Sequence, residues 1–443
     1  MSAIRDLPEV AGLDGSHASL RIPAEIDVPL TTRVRAIVDS AEFRRLSRIS
    51  QLGLVSLVYP AANHTRFEHS LGVYRMALLV LRHLAHDPRF TEIVSPADAE
   101  RFIVAALVHD LGHWPFCHPI EDMQLPSVPE HELLARTRRP RAEIADVLRD
   151  DWSLQPRDVV ELLSGKPQDP AGRLLASMLS GPIDIDKMDY LYRDSLHAGV
   201  PYGRNFDQGR LVGSLYLDEE GEKLAITEKG KTAAEMMVFA RYVMFSEVYW
   251  HHGVRCATAM LQRAFYLIHG QLDTDGLFRL CERPMIDAME AAAAESGAAE
   301  LVSGLFGPQR RLYKRLAQFS VFDEPETFAR LARRPYPWLA ACAQQFAHEA
   351  STALGRIVAP HEILFDAPPV QREVDFQIDV YFPKRGRYRP LGEISPVVRA
   401  LGTQLDDYVK RVRIFAHPRI VGSLRRLSNL NEVLSTAIDS TDD

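Results

Sequence analysis

The chain has 443 residues, of which 46% are hydrophobic, 25% charged and 8% aromatic. These proportions are globular and exclude a disordered, collagen-like or coiled-coil chain. Lys and Arg number 52 against 59 Asp and Glu, a net charge of −7, so overall charge supports neither nucleic acid nor an anionic membrane as partner, although a local basic pocket is compatible with it. Cys117, Cys256, Cys281 and Cys342 are scattered with no CxxC spacing, which argues against a disulfide framework and against a thiolate zinc site. No basic segment followed by an apolar run opens the chain, and no apolar run reaches membrane-spanning length. A soluble cytoplasmic protein is expected.

Residues 1–30, rich in Gly, Pro and Asp, read as an irregular or β-edged arm. From Thr31, Val34, Ile37, Val38, Phe43, Leu46, Ile49 and Leu52 recur at three- and four-residue steps up to Gly53, which predicts one or two amphipathic helices. A second helix starts near Arg66 with Leu71, Leu78 and Leu81 on one face. A third, from Ala97 to Gly112, contains FIVAALV and is apolar all round, the pattern of a central helix. Helical patterns follow over roughly 130–150, 155–165, 171–198 and 230–270. LVGSLYLDEEGEKLAITEKG, with apolar runs on both sides of Gly221, predicts an inserted β-hairpin. Residues 287–299 and RRLYKRLAQF look helical. After about residue 355, RIVAP, HEILFDAP, VDFQIDVYF and RVRIFAHP look like strands.

Histidines are unevenly placed: His64, His69, His83, His86, His109, His113, His118 and His131 share one stretch. In VHDLGHWPFCHPIED, His109 and Asp110 end the all-apolar helix, His113 follows at i+4 on the same side, and His118 and Glu121 lie at i,i+3 beyond Pro115. Polar groups at the rim of a buried helix need partners, and a cation satisfies imidazole nitrogen and carboxylate oxygen together. In GPIDIDKMDYLYRDSLHAG, Asp186, Tyr190 and Asp194 recur at i,i+4 on one face. His64, His83 and His86 read as helix-surface or capping residues.

HTRFEHSLGV (64–73), HDLGH (109–113) with His118, HE (131–132) and DIDKMDYLYRD (184–194) occur in that order. Together they resemble the HD-domain metal-dependent phosphohydrolases, and within them the deoxynucleoside triphosphate triphosphohydrolase branch. EFRRLSRISQLGLVSLVYP (42–60) and VYWHHGVR (248–255) are similar to segments of that branch, so the resemblance spans roughly 35–260.

The resemblance implies His69, His109, Asp110 and Asp186 as metal ligands. Two imidazoles and two carboxylates suit Fe, Mn, Zn or Co better than calcium, and a second, more labile Mg²⁺ bridged by Asp110 is part of the family pattern. It further implies a metal-activated water, with His113 and His131 around it and His118 as general acid held by Glu121. Arg66 and Lys187 match phosphate-binding positions, Tyr190 a residue packed on the sugar, and Gln51 and Asp194 groups that bond the 3′-OH. The implied substrate is a nucleotide, a deoxynucleoside triphosphate cleaved to deoxynucleoside and tripolyphosphate, and the implied assembly a homo-oligomer.

The sequence departs from the family at several points. Glu121 stands for an Asp, His252 for a common Lys, and Trp114 for a small residue. Ser47 and Arg44 replace an Arg and a Gln that read a guanine nucleotide in regulated relatives, so guanine activation is not carried over. The expected fold is mainly α: an HD-domain helical body with a β-hairpin insertion and a smaller C-terminal α/β region, divided as arm 1–30, catalytic body 31–320 and C-terminal region 321–443. Two other functions are weighed. One is an HD phosphohydrolase acting on another nucleotide or phosphodiester (a nucleoside monophosphate, a cyclic nucleotide, single-stranded nucleic acid). The other is a non-catalytic nucleotide-binding regulator.

Overall fold

A computed structural model describes residues 3–15, 18–128, 142–165, 167–370, 377–402 and 408–442. The arm is more regular than its composition suggests. Short helical turns place Ile4, Leu7 and Val10 against the body. β1 (Ser19–Ile22) and β2 (Ile26–Pro29) then pair antiparallel from Ser19↔Pro29 to Ile22↔Ile26. Ile22 and Val28 enter the main core, so the arm spends its apolar side chains on the body.

Helix α1 (Arg66–Leu84) starts where the Thr65 hydroxyl accepts from the Glu68 amide. Helix α2 (Pro96–Val108) has Pro96 in its first turn and a reciprocal Ser95–Asp98 capping box. Its residues Phe102 to Val108 are all buried and packed on α1, as an all-round apolar helix must be. The α-helix stops at Val108, earlier than the sequence suggests. His109–Gly112 tighten into a 3₁₀ turn and His113 is extended (φ −71°, ψ 147°).

Helix α3 (Pro156–Leu163) follows. The single helix expected over 171–198 is broken in two, because Ser180, Gly181 and Pro182 interrupt it. The second piece, α4 (Ile185–Ala198), is capped by the Asp184 carboxylate accepting from the Lys187 amide and closed by Gly199 at φ +70°.

The predicted hairpin is present as β3 (Leu215–Leu217) and β4 (Leu224–Thr227), paired Leu215↔Ile226 to Leu217↔Leu224. Gly221, at φ +76°, sits in the loop between them. Next come α5 (Lys231–Met244), a π-helical stretch Phe245–Tyr249, and α6 (His252–Ile268).

RRLYKRLAQF, expected as helix, is instead β5 (Lys314–Phe319). It pairs antiparallel with a later strand from Lys314↔Ala416 to Phe319↔Val412, with a bulge between Arg315 and Ala317. A helix-like apolar spacing was overridden by a non-local partner, and as an edge strand β5 keeps its Lys and Arg outward. Helix α7 (Tyr336–Leu354) precedes β6 (Ile363–Asp366). β7 (Asp379–Phe382) and β8 (Arg387–Pro390) form a second hairpin. β9 (Val412–Ala416) then lies between β5 and β6, and helix α8 (Leu430–Asp442) packs on α7. RIVAP forms no strand.

The connectivity of the small sheets ties the chain together. β4 pairs parallel with β7, Ile226↔Val380, giving a four-stranded sheet in the order β3–β4–β7–β8. Ile378, Val380, Leu391 and Val398 are buried in the same core as α1, α2 and α4. A separate core lies between α7, α8 and the β5–β9–β6 sheet. The chain is therefore mainly α with small sheets. Among the described residues no helix is long and apolar enough to cross a membrane.

Candidate active site

Four elements meet at one cavity of ≈ 290 Å³. α1 supplies Arg66 and His69 from its first turn, the 3₁₀ turn supplies His109 and Asp110, and α4 supplies Asp186 and Tyr190. His113 and His118 line it from the following segment, Gln51 from the loop before α1, and Val160, Leu162 and Leu163 from α3 form an apolar wall.

The donors expected to hold a metal converge. The ligand atoms of His69, His109 and Asp110 all lie within 4.8 Å of one another. Asp186 Oδ1 is 2.9 Å from His69 Nε2 and 3.8 Å from His109 Nε2, and Asp110 Oδ1 is 3.4 Å from His109 Nε2. The two imidazoles approach through their Nε2 atoms at 3.3 Å. His109 Nδ1 donates to the Ala106 carbonyl at 2.9 Å, and His69 Nδ1 donates to Asp189 Oδ2 at 2.9 Å. In the neutral rings both Nε2 atoms then carry lone pairs, and lone pairs facing each other and two carboxylates require a cation between them. A backbone carbonyl or a carboxylate behind each imidazole is the usual way of aiming a metal-binding histidine. The donor set fits a divalent transition metal.

The electrostatics agree. Burial opposes a charge on His69, but the carboxylates of Asp186 and Asp189 outweigh it and hold the bare imidazole up at about 10. Against the cost of burial, His113, Arg66 and His109 hold the Asp110 carboxyl well below the usual range. Asp189 falls to about 2 despite its burial, because Arg193 and His69 favour the carboxylate. Asp184 rises to about 6, since burial and the nearby Asp186 outweigh Lys187.

Behind the donors runs a buried chain of polar contacts, of whose members Asp194 had an expected role in the site. Arg193 grips Asp189 with Nε and Nη2 at 2.9 and 2.8 Å and reaches Glu68 at 2.7 Å. Glu68 also pairs with His197 at 2.7 Å, and His197 stacks on His64 at 4.4 Å between ring centroids. His64 meets Asp194 Oδ1 at 2.9 Å, and Tyr249, on the π-helical stretch, donates to Asp194 Oδ2 at 2.6 Å. His64 is therefore an interior residue, not the surface or capping group expected from its position before α1. The i,i+4 spacing of Asp189 and Arg193 was a legible signal; the links to Glu68, His64 and Tyr249 cross the chain and left none.

The other expected site residues separate into groups. Gln51, Arg66, His113, His118 and Tyr190 line the cavity. Arg66 Nη1 pairs with Asp110 Oδ2 at 2.9 Å, His113 Nδ1 lies 3.0 Å from Asp110 Oδ1, and Gln51 Oε1 is buried with no hydrogen-bond partner among the described residues. Glu121 sits beneath the exposed His118, Oε2 at 3.8 Å from Nδ1. Lys187 and Asp194 are not in the lining: Lys187 Nζ is held by Asp184 at 2.6 Å and Gly181 O at 3.0 Å, and Asp194 by His64 and Tyr249. His131 lies outside the described residues.

Residues 66–194 match the HD domain, and residues 206–437, more than half of the chain, match the HD associated region. The chain belongs to the HD-domain phosphohydrolase family. An uncharacterised protein of Methanocaldococcus jannaschii is 35% identical over 67% of this chain and 59% of its own length. A deoxynucleoside triphosphate triphosphohydrolase of Gallus gallus is 27% identical over 70% of this chain and 57% of its own. The chain thus spans between about two fifths and three fifths of the length of these and other curated relatives it matches. The crystal structure of a hypothetical protein from Aquifex aeolicus superposes with a TM-score of 0.68, 27% identity, and 92% and 98% coverage of the two chains. A phosphohydrolase from Bacteroides thetaiotaomicron shares the fold at a TM-score of 0.68 and 21% identity.

Proposed function

We propose that this HD-domain protein hydrolyses deoxynucleoside triphosphates to deoxynucleoside and tripolyphosphate, with His69, His109, Asp110 and Asp186 holding a divalent transition metal. Such a cation, when bound, supplies Lewis acidity and a water of lowered pKa. The reading rests on one observation above the others: Arg66, His113, His118 and Gln51 line the same cavity as the four donors.

Each side chain then has a task. Arg66, already charge-paired with Asp110, turns its guanidinium to phosphate oxygens and offsets the charge that grows during in-line displacement. His113, 3.0 Å from Asp110 and charge-paired with it when protonated, orients the incoming water. His118 gives a proton to the leaving 5′-oxygen, and Glu121 steadies its imidazolium. Tyr190 packs against the sugar, and Gln51, in the cavity wall, bonds a sugar hydroxyl. His131 is assigned the water side of the site on family resemblance alone.

A second reading, a family phosphohydrolase acting on a smaller nucleotide or a diester, is favoured by Lys187 and Asp194. The two residues that resemblance assigns to the triphosphate and the 3′-OH are engaged elsewhere. One panel separates the readings: metal-loaded protein incubated with the four deoxynucleoside triphosphates, singly and mixed, with ribonucleotides, monophosphates, cyclic nucleotides and single-stranded DNA. Tripolyphosphate release is expected; orthophosphate or diester cleavage alone would move the assignment to the second reading. Asp110→Ala should lose both the metal, by elemental analysis, and at least about 10³-fold in turnover.

A further inference from the structure

Beside the first donor cluster stands a second. Among the described residues only two groups bring three metal-ligating side chains within 4.8 Å, and the other is His113, Cys117 and His118. The sequence gives no hint of it, since no Cys has the spacing of a thiolate site. The fold makes it: Phe116 adopts a left-handed conformation (φ +57°) at the start of the short helix Cys117–Glu121. That turn brings Cys117 and His118 back toward His113, whose ring centroid is 5.2 Å from that of His118 at an interplanar angle of 73°. Glu121 is outside that group of three but reaches it, with Oε2 3.8 Å from His118 Nδ1 and a hydrogen bond from the Cys117 thiol. Asp110 holds one ring nitrogen of His113 at 3.0 Å, repeating the carboxylate–imidazole arrangement that Asp189 makes behind His69.

We infer that His113, Cys117, His118 and Glu121 form a second cation site, selective for a borderline-soft divalent ion of the zinc class, whose occupation silences the catalytic cavity. One sulfur, two nitrogens and one oxygen are a tetrahedral zinc set and a poor magnesium set. Burial and the neighbouring Glu121 push the bare thiol well up, so it is protonated at neutral pH. Binding releases that proton to solvent and leaves the sulfur on the cation. Capture takes His118 from the 5′-oxygen. This consequence rests on the function proposed above, whereas the site itself does not.

The test uses the metal-loaded full chain and Cd²⁺ alone as probe. A thiolate-to-cadmium charge-transfer band is expected, saturating near one equivalent with the resident metal retained by elemental analysis. Cys117→Ser should abolish the band, keep basal turnover, and resist inhibition by Cd²⁺ and Zn²⁺. His118→Ala, at an exposed side chain, should keep the fold and weaken cadmium binding at least about tenfold. No band, a band that survives in a folded Cys117→Ser protein, or equal inhibition of wild type and Cys117→Ser would overturn the site. A chain that shows the band but hydrolyses no nucleotide would keep the site and refute only the proposed function.

Discussion

At the scale of the residue, the decisive contact is between the Nε2 atoms of His69 and His109, 3.3 Å apart and both flanked by carboxylates. Without a metal, the positive charge these groups require is supplied by a proton, which is why His69 is held at about 10 by Asp186 and Asp189 in spite of burial. Binding a divalent cation must displace that proton. Because the folded-state value lies above neutrality, metal affinity should rise about tenfold per pH unit as the pH increases toward about 10. Calorimetry in buffers of different ionisation enthalpy should count about one proton released at neutral pH; none released would mean that His69 is neutral in the bare site. The candidate donors were legible in the sequence through the family resemblance of HTRFEHSLGV, HDLGH and DIDKMDYLYRD. Their aim was not, because the hydrogen bonds from Nδ1 of His69 and His109 depend on Asp189 and the Ala106 carbonyl.

At the scale of the element, α1 and α4 are locked together by the Asp189–Arg193–Glu68 contacts. Gly72 makes this approach feasible. On α1 it faces α4 so closely that a Cβ would overlap Asp189 Oδ1 and Arg193 Nη2. Ala is the better helix former by about 1 kcal/mol, yet pushing a buried, charge-paired Asp189 off its partners costs more, about 3–5 kcal/mol when such a pair is broken. Gly72→Ala should therefore lower the melting temperature and weaken metal binding by about 10–100-fold through loss of the His69 orientation. A variant with unchanged melting and full metal content would show that Asp189 does not position His69. Elements with a strong local signal, such as α1, α2 and the β3–β4 hairpin, could be read directly. β5 could not, since its helix-like spacing loses to pairing with β9, about a hundred residues later in the chain.

At the scale of the whole molecule, the chain crosses the expected boundary near residue 320 in both directions. β5 belongs to the sheet of β6 and β9, while β7 returns to pair with β4. The buried Arg255–Asp366 pair, Nη2 to Oδ1 at 2.6 Å, joins α6 to β6. A chain ending at Ser320 would lose Ile378, Val380, Leu391 and Val398 from the core that carries the site helices. At roughly 1.5–3 kcal/mol for each buried side chain, the loss is comparable with a whole domain's stability of about 5–15 kcal/mol. That truncation should give no cooperative melting transition by circular dichroism; melting close to that of the full chain would show that the body is autonomous. The amino-acid order by itself determined the helical class, the inserted hairpin and the identity of the charged and imidazole groups, because periodicity, capping residues and short motifs are local and survive in one dimension. Tertiary structure decided which imidazole is backed by which carboxylate, that His64 is interior, that Cys117 stands beside two histidines, and that the C-terminal strands complete the body. Those outcomes depend on contacts between residues far apart in the chain, whose free energy exists only after the chain has closed on itself.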